Sequence, residues 1–214
     1  FGLCFIGAGA IITNALTNGA VGLLGIALAH GIVLAVLVSA LGHISGAHVN
    51  PAVTIGLLVG GKIKGGRAVG YIISQLIGGV IAGLLLRTIY STEVWAKVNL
   101  GTPGLGPGIG AGTGVLVEII LTFFLVLAVY GTAVDEKAPK IGGFGIGLVL
   151  VFDILMGGPL TGASMNPART FGPAVVSGYW DAHWVYWVGP ILGAILATVL
   201  YKLCTSGDSS ESAG

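Results

Sequence analysis

The chain has 214 residues, 55% of them hydrophobic and only 8% charged, with 9 Lys or Arg against 8 Asp or Glu. A soluble domain carries about 25% charged residues, so this composition excludes a water-coated globule. A formal net charge of +1 with no basic run argues against nucleic-acid binding, and a mean hydropathy of +1.00 leaves an integral membrane protein.

The expected fold class is an all-α membrane protein, with six spans of about 20 residues, the length that a bilayer core requires. The apolar stretches are continuous, unlike the alternating segments of about ten residues in a β-barrel. The 39 glycines have no period of three, which excludes collagen, and suit close helix packing in lipid.

In chain order, the first span, 1–16, is expected to be partial: it opens on Phe1 with neither Met nor a charged leader, and shows no cleavable signal peptide. The second covers 20–42 and carries His30, which alone reads equally as a packed or a functional imidazole. A short apolar piece follows at 50–60, then Lys62, Lys64 and Arg67, then the third span at 67–89. Residues 91–111 are rich in Gly and Pro and read as a long loop. Spans four and five are expected at 112–133, with Glu118, and at 141–158, with Lys137 and Lys140 between them. A second short piece covers 166–177, the sixth span 184–204, and a polar tail 205–214.

Lys62, Lys64, Arg67, Lys137, Lys140 and Lys202 fall on one side, against Arg87 and Lys97 on the other; the larger group is expected to face the cytoplasm. Trp180, Trp184 and Trp187 read as interfacial anchors. Cys4 and Cys204 lie far apart without metal-ligand spacing and read as inert apolar packers.

Both short pieces are too brief to cross a bilayer, and both open on Asn-Pro. Residues 45–56, SGAHVNPAVTIG, align with residues 161–172, TGASMNPARTFG, with Gly46, Ala47, Asn50, Pro51, Ala52 and Gly56 matched by Gly162, Ala163, Asn166, Pro167, Ala168 and Gly172. Three spans per copy is an odd number, so the second copy must enter from the opposite face. The expectation is one channel domain, 1–204, built as inverted repeats of about 1–89 and 112–204, with its site near the midplane.

Pro at a first helical position wastes no N–H, and Asn before it caps the helix. A single Asn-Pro is a common helix start. Two of them meeting at mid-membrane would bring together two helix N-termini, each carrying about half a positive charge, with the Asn50 and Asn166 amides as donors. Such a junction binds neutral acceptors and opposes cations. Arg169 either snorkels to the interface or faces a water-filled cavity. His48 and Ser164 precede the two motifs and are placed to brace their nonhelical turns. His43 and His48 are joined by no acid or thiol, so neither a metal nor a cofactor is expected. Ser45 and Ser164 lack a base–acid arrangement, which argues against a hydrolase.

The motifs HISGAHVNPAVT and TGASMNPARTFGP resemble those of the aquaporins, the major intrinsic protein family, and the similarity runs over essentially the whole chain. The resemblance implies a channel, not an enzyme, with six membrane helices, two re-entrant half-helices and a homotetrameric assembly in the lipid bilayer. It implies that Asn50, Pro51, Ala52, Asn166, Pro167 and Ala168 form the pore motifs. By motif position it assigns a selectivity filter to His30, Ile154, Ala163 and Arg169, and makes Glu118 the acid that holds the second half-helix loop. His30 on span two and Ile154 on span five depart from the common Phe and His, and are similar to plant vacuolar-membrane aquaporins.

The expected function is passive passage of water, with ammonia or other small neutral solutes, and without ions or protons. The alternatives are a glycerol and polyol channel or a secondary transporter. Thr170 and Ala174 stand where glycerol-conducting relatives carry Asp and a basic residue, followed downstream by Tyr186-Trp187; the midplane has no acidic pair for a coupling ion. The expected location is the cell membrane, or the vacuolar membrane in a plant. Asp153 has no family equivalent and is expected to steady the outer loop or pair with His30. Ala163 replaces the Cys that makes some relatives mercury-sensitive. Mercuric ion is therefore predicted not to block through this position; loss of water flow that a Cys4 or Cys204 substitution rescues would reveal another route.

Overall fold

The structure, a computed structural model, describes residues 1–139 and 141–206. Its nine α-helices are α1 (Gly2–Leu16), α2 (Gly22–Ser45), α3 (Pro51–Val59), α4 (Gly65–Ile89), α5 (Thr92–Trp95), α6 (Ala111–Val129), α7 (Phe144–Thr161), α8 (Pro167–Ser177) and α9 (Val185–Ser206), with no strand among the described residues. A 3₁₀ turn, Ala96–Gly101, follows α5, and a π-turn, Tyr130–Val134, extends α6. Among the described residues, five helices are long and apolar enough to cross a membrane: α2, α4, α6 with its π-turn, α7 and α9. The first helix has 15 residues.

Each expected span is thus a helix, with one shift. The fifth, expected over 141–158, runs from Phe144 to Thr161, because the Gly142–Gly143 turn delays its start and Gly162, at φ 78°, ends it. The loop expected at 91–111 also carries α5 and the 3₁₀ turn. The tail expected at 205–214 begins inside α9, and residues 207–214 lie outside the described residues, as does Lys140. Lys62, Lys137 and Lys202 gather around one surface hollow, so these basic residues share a face as the sequence implies.

The bundle is turned outside-in relative to a soluble protein. Leu24, Ile32, Val36, Ile73, Leu84, Leu116 and Leu196 are exposed, whereas Ala8, Ala27, Ala52, Ala82, Ala194 and Ala197 are fully buried. Small residues at the contacts let backbones approach, as packing in lipid requires. A close crossing joins α4 to α8, where a methyl group on Gly172 would overlap the backbone of Gly79 and one on Gly79 would press on the Ala168 carbonyl. This crossing seats the short helix α8 against a full span.

Gly172→Ala is predicted to push α8 off α4, at a cost of about 1–3 kcal/mol for overpacking. Thermal unfolding in detergent should show a lower Tm; an unchanged Tm would mean that the crossing has slack.

Candidate functional site

The turns before α3 and α8 are built alike. Each follows a left-handed glycine cap, Gly46 at φ 77° and Gly162 at φ 78°. Each then holds two non-glycine residues at positive φ: Ala47 and Val49 in the first, Ala163 and Met165 in the second. Such conformations cost of order 1–3 kcal/mol each and persist only where their surroundings hold them. Here the hold is a set of hydrogen bonds to these same loops.

Asn50 caps α3, its Oδ1 accepting from Ala52 N at 2.8 Å, and Asn166 caps α8, its Oδ1 accepting from Ala168 N at 3.0 Å and Arg169 N at 3.2 Å. Pro51 and Pro167 occupy the first helical positions. The two caps also cross. Asn50 Nδ2 donates to Met165 O at 2.7 Å, and Asn166 Nδ2 donates to Val49 O at 3.0 Å. Each amide oxygen is therefore turned into its own helix. Of the two N–H bonds on each amide nitrogen, one is spent on the opposite loop and one is left for the cavity that both residues line.

Glu118 supports the second loop. It is fully buried, and its Oε1 accepts from Thr161 Oγ1 at 2.7 Å and Ser164 N at 2.9 Å, while Oε2 accepts from Met165 N at 2.7 Å. Ser164 Oγ donates to Asn166 O at 3.0 Å and pairs with Thr170 Oγ1. In the first loop His48 Nδ1 lies 3.1 Å from Thr54 Oγ1, which donates to Asn50 O and accepts from Gln75 Nε2. Thr54 and Thr170 occupy equivalent, identical positions in the two motif segments, a match visible in the sequence.

A cavity of about 550 Å³ runs from Ser39, His43 and Lys62 at one face, past Asn50 and Asn166, to His30, Ile154, Ala163 and Arg169. The structure thus brings together all four residues expected at the filter. Arg169 is buried and faces this cavity, so snorkelling is not its role. Its Nη1 donates to Gly101 O at 2.8 Å, and its Nε and Nη2 converge on His30 Nε2 at 3.4 Å. His30 Nδ1 lies 2.8 Å from Ile26 O. A carbonyl only accepts, so Nδ1 carries the proton and Nε2 presents a lone pair to Arg169. Of five guanidinium N–H bonds, three are committed, and two are left over.

Gly7 makes room for this arrangement, since any side chain there would strike the His30 ring. Gly101 was not foreseen: it acts through its backbone carbonyl, presented by a bend in which Asn99, Leu100 and Gly101 all have positive φ. Two further expectations change. Cys4 is buried but not merely apolar, since its Sγ donates to Ala168 O at 3.7 Å, and Cys204 is exposed. Both His30 nitrogens are engaged elsewhere, so Asp153 does not pair with that ring. His183, in the turn before α9, accepts at Nε2 from Trp187 Nε1 at 3.1 Å, and partial burial holds its imidazole below its ordinary range.

Residues 1–201 match the family model described as Major intrinsic protein. The chain is 48% identical over 205 residues to aquaporin TIP4-4 of Zea mays, covering 92% of this chain and 79% of that one. It is 42% identical over 209 residues to aquaporin-8 of Mus musculus, covering 97% and 79%. The X-ray structure of the aquaglyceroporin from Plasmodium falciparum superposes with a TM-score of 0.84 at 25% identity, covering 97% of this chain and 93% of that one. The chain belongs to the major intrinsic protein family, the aquaporins. It is a multi-pass membrane protein of a channel family, not an enzyme.

Replacing Glu118 by Gln turns an NH₂ group against backbone donors that the carboxylate accepts. Glu118→Gln is predicted to cost about 1.5–3 kcal/mol, the worth of a charged hydrogen bond. The expected readouts are a lower Tm and faster hydrogen exchange at the Ser164 and Met165 amides.

Proposed function

We propose that the protein is a passive water channel that also passes ammonia and excludes ions and protons. The observation that carries this reading is the amide orientation at the junction: Asn50 and Asn166 each face the cavity with an N–H, their oxygens being turned into α3 and α8. A water oxygen accepting from both donors must point its own hydrogens outward, toward the two ends of the file. The hydrogen-bonded chain is then polarised in opposite senses on the two sides, and a proton cannot hop through without reversing it. The two helix N-termini add positive potential where solvent screening is weak, which opposes cations.

His30, Ile154, Ala163 and Arg169 act as the selectivity filter. The two free N–H groups of Arg169 receive the solute oxygen, and its charge repels cations. Ile154 and Ala163 supply an apolar wall, so selection rests on size and on acceptor capacity. A small acceptor such as ammonia fits the same donors. Thr170 sits where glycerol-conducting relatives carry Asp, which favours water over polyols. Glu118, His48 and Ser164 hold the loops in shape. The chain reads as a single channel domain over residues 1–204, its halves of about 1–89 and 112–204 forming inverted repeats, and as a homotetramer whose protomers each enclose a pore.

Stopped-flow light scattering on proteoliposomes tests this reading. Water and ammonia are expected to cross faster than in empty vesicles, with glycerol well behind and no proton or potassium current. Arg169→Val is predicted to admit larger neutral solutes while water flow persists. An identical solute profile in that variant would remove Arg169 from the filter, and a potassium or proton current in the unmodified protein would overturn the channel reading itself.

A further inference from the structure

Behind Ile154, on the side of α7 turned away from the cavity, two buried polar side chains face the seam with α6. Asp153 is only 1% exposed, Thr122 on α6 is fully buried, and neither Asp153 Oδ2 nor Thr122 Oγ1 has a hydrogen-bond partner in the protein. The helices run antiparallel in a register that several contacts fix. A side chain at Gly157 would meet Val117 and Leu121, the Phe124 and Phe152 rings lie 6.1 Å apart, and a side chain at Gly145 would meet Thr132. Asp153 sits one turn before Gly157 on the face toward α6, and so stands level with Thr122. One turn away along α6, Glu118 reaches the end of α7 through Thr161.

Leaving two polar groups unsatisfied in an apolar interior costs several kcal/mol in all, at about 1–3 kcal/mol each. Buried polar atoms that lack protein partners are characteristically bridged by internal water. We propose that Thr122 Oγ1 and Asp153 Oδ2 hold one buried water molecule between α6 and α7, and that Asp153 is thereby a positioning residue for Ile154. The water ties α6 to the turn of α7 that carries Ile154, fixing how far that side chain stands into the cavity. The polar pair continues the tie that Glu118 makes one turn away, so α6 grips α7 at two successive levels. The positioning claim rests on the reading of Ile154 as a filter wall; the water site does not.

A high-resolution crystal structure of the full chain tests the site directly. The expected result is one density peak within hydrogen-bond distance of both atoms; a direct Thr122–Asp153 contact with no such peak overturns it, whatever the protein conducts. The positioning role is read in proteoliposomes from the glycerol-to-water permeability ratio. Asp153→Asn, which keeps shape and hydrogen bonding, is expected to leave the ratio near its original value. Asp153→Leu and Thr122→Val are each expected to shift it by about threefold or more, and the double variant no further than either one, as coupled neighbours behave. An unchanged ratio in Asp153→Leu, an Asn variant as altered as the Leu variant, or additive effects would overturn the positioning role. If the Leu variant fails to assemble, Thr122→Val and Asp153→Asn still decide it. Absence of water flow in the unmodified protein would instead strike the channel reading and leave the water site standing on the map.

Discussion

The architecture depends on a reciprocal exchange of two hydrogen bonds at the centre of the bundle, from the Asn50 amide to Met165 O and from the Asn166 amide to Val49 O. Each bond joins the cap of one short helix to the loop before the other. Two helix N-termini repel each other, and inside the bundle that repulsion is screened far less than in bulk water. The crossed amides, together with the capping bonds back into α3 and α8, hold them tip to tip. All else follows from keeping this meeting point in register: the Gly79–Gly172 crossing that seats α8, the buried Glu118 that fixes the second loop, and the His48–Thr54–Gln75 cluster beside the first.

Much of this was legible in the sequence, because it resides in side chains with distinctive chemistry at repeated positions. The paired Asn-Pro-Ala segments specified the caps and the first helical prolines, and the expectation of inverted copies implied that they meet, as the crossed amide bonds show they do. Charge scarcity placed the chain in lipid, and the spans followed from hydropathy to within a few residues. Arg169 stood out because a guanidinium in apolar sequence demands a polar surrounding, and the structure supplies it from His30 and Gly101. The position of α7 slipped because a Gly-Gly turn is near neutral in hydropathy, so it does not interrupt an apolar run, yet it does not begin a helix.

What could not be read is the part carried by backbone. The Gly101 carbonyl leaves no trace in residue type, and only the fold shows that three consecutive left-handed residues aim it at Arg169. The room that Gly7 yields to His30 is equally silent, since one glycine among so many attracts no notice. Thr54 and Thr170 differ from these cases: their identity across the two segments was visible and marks them as symmetric braces, each with its hydroxyl at the shoulder of a capping asparagine.

The bend at Asn99–Gly101 has a consequence for how the protein can vary. Because it grips the guanidinium through a peptide oxygen, the grip depends on curvature and not on which side chains decorate the curve. Substitutions at the half-buried Val98 and Asn99 can therefore accumulate as long as the left-handed course survives, whereas Leu100 is fully buried and a side chain at Gly101 would strike Ala8; inserting or deleting a single residue would re-aim the oxygen and release the arginine. Length is guarded there as strictly as residue type, unlike the lipid-facing surfaces of the helices.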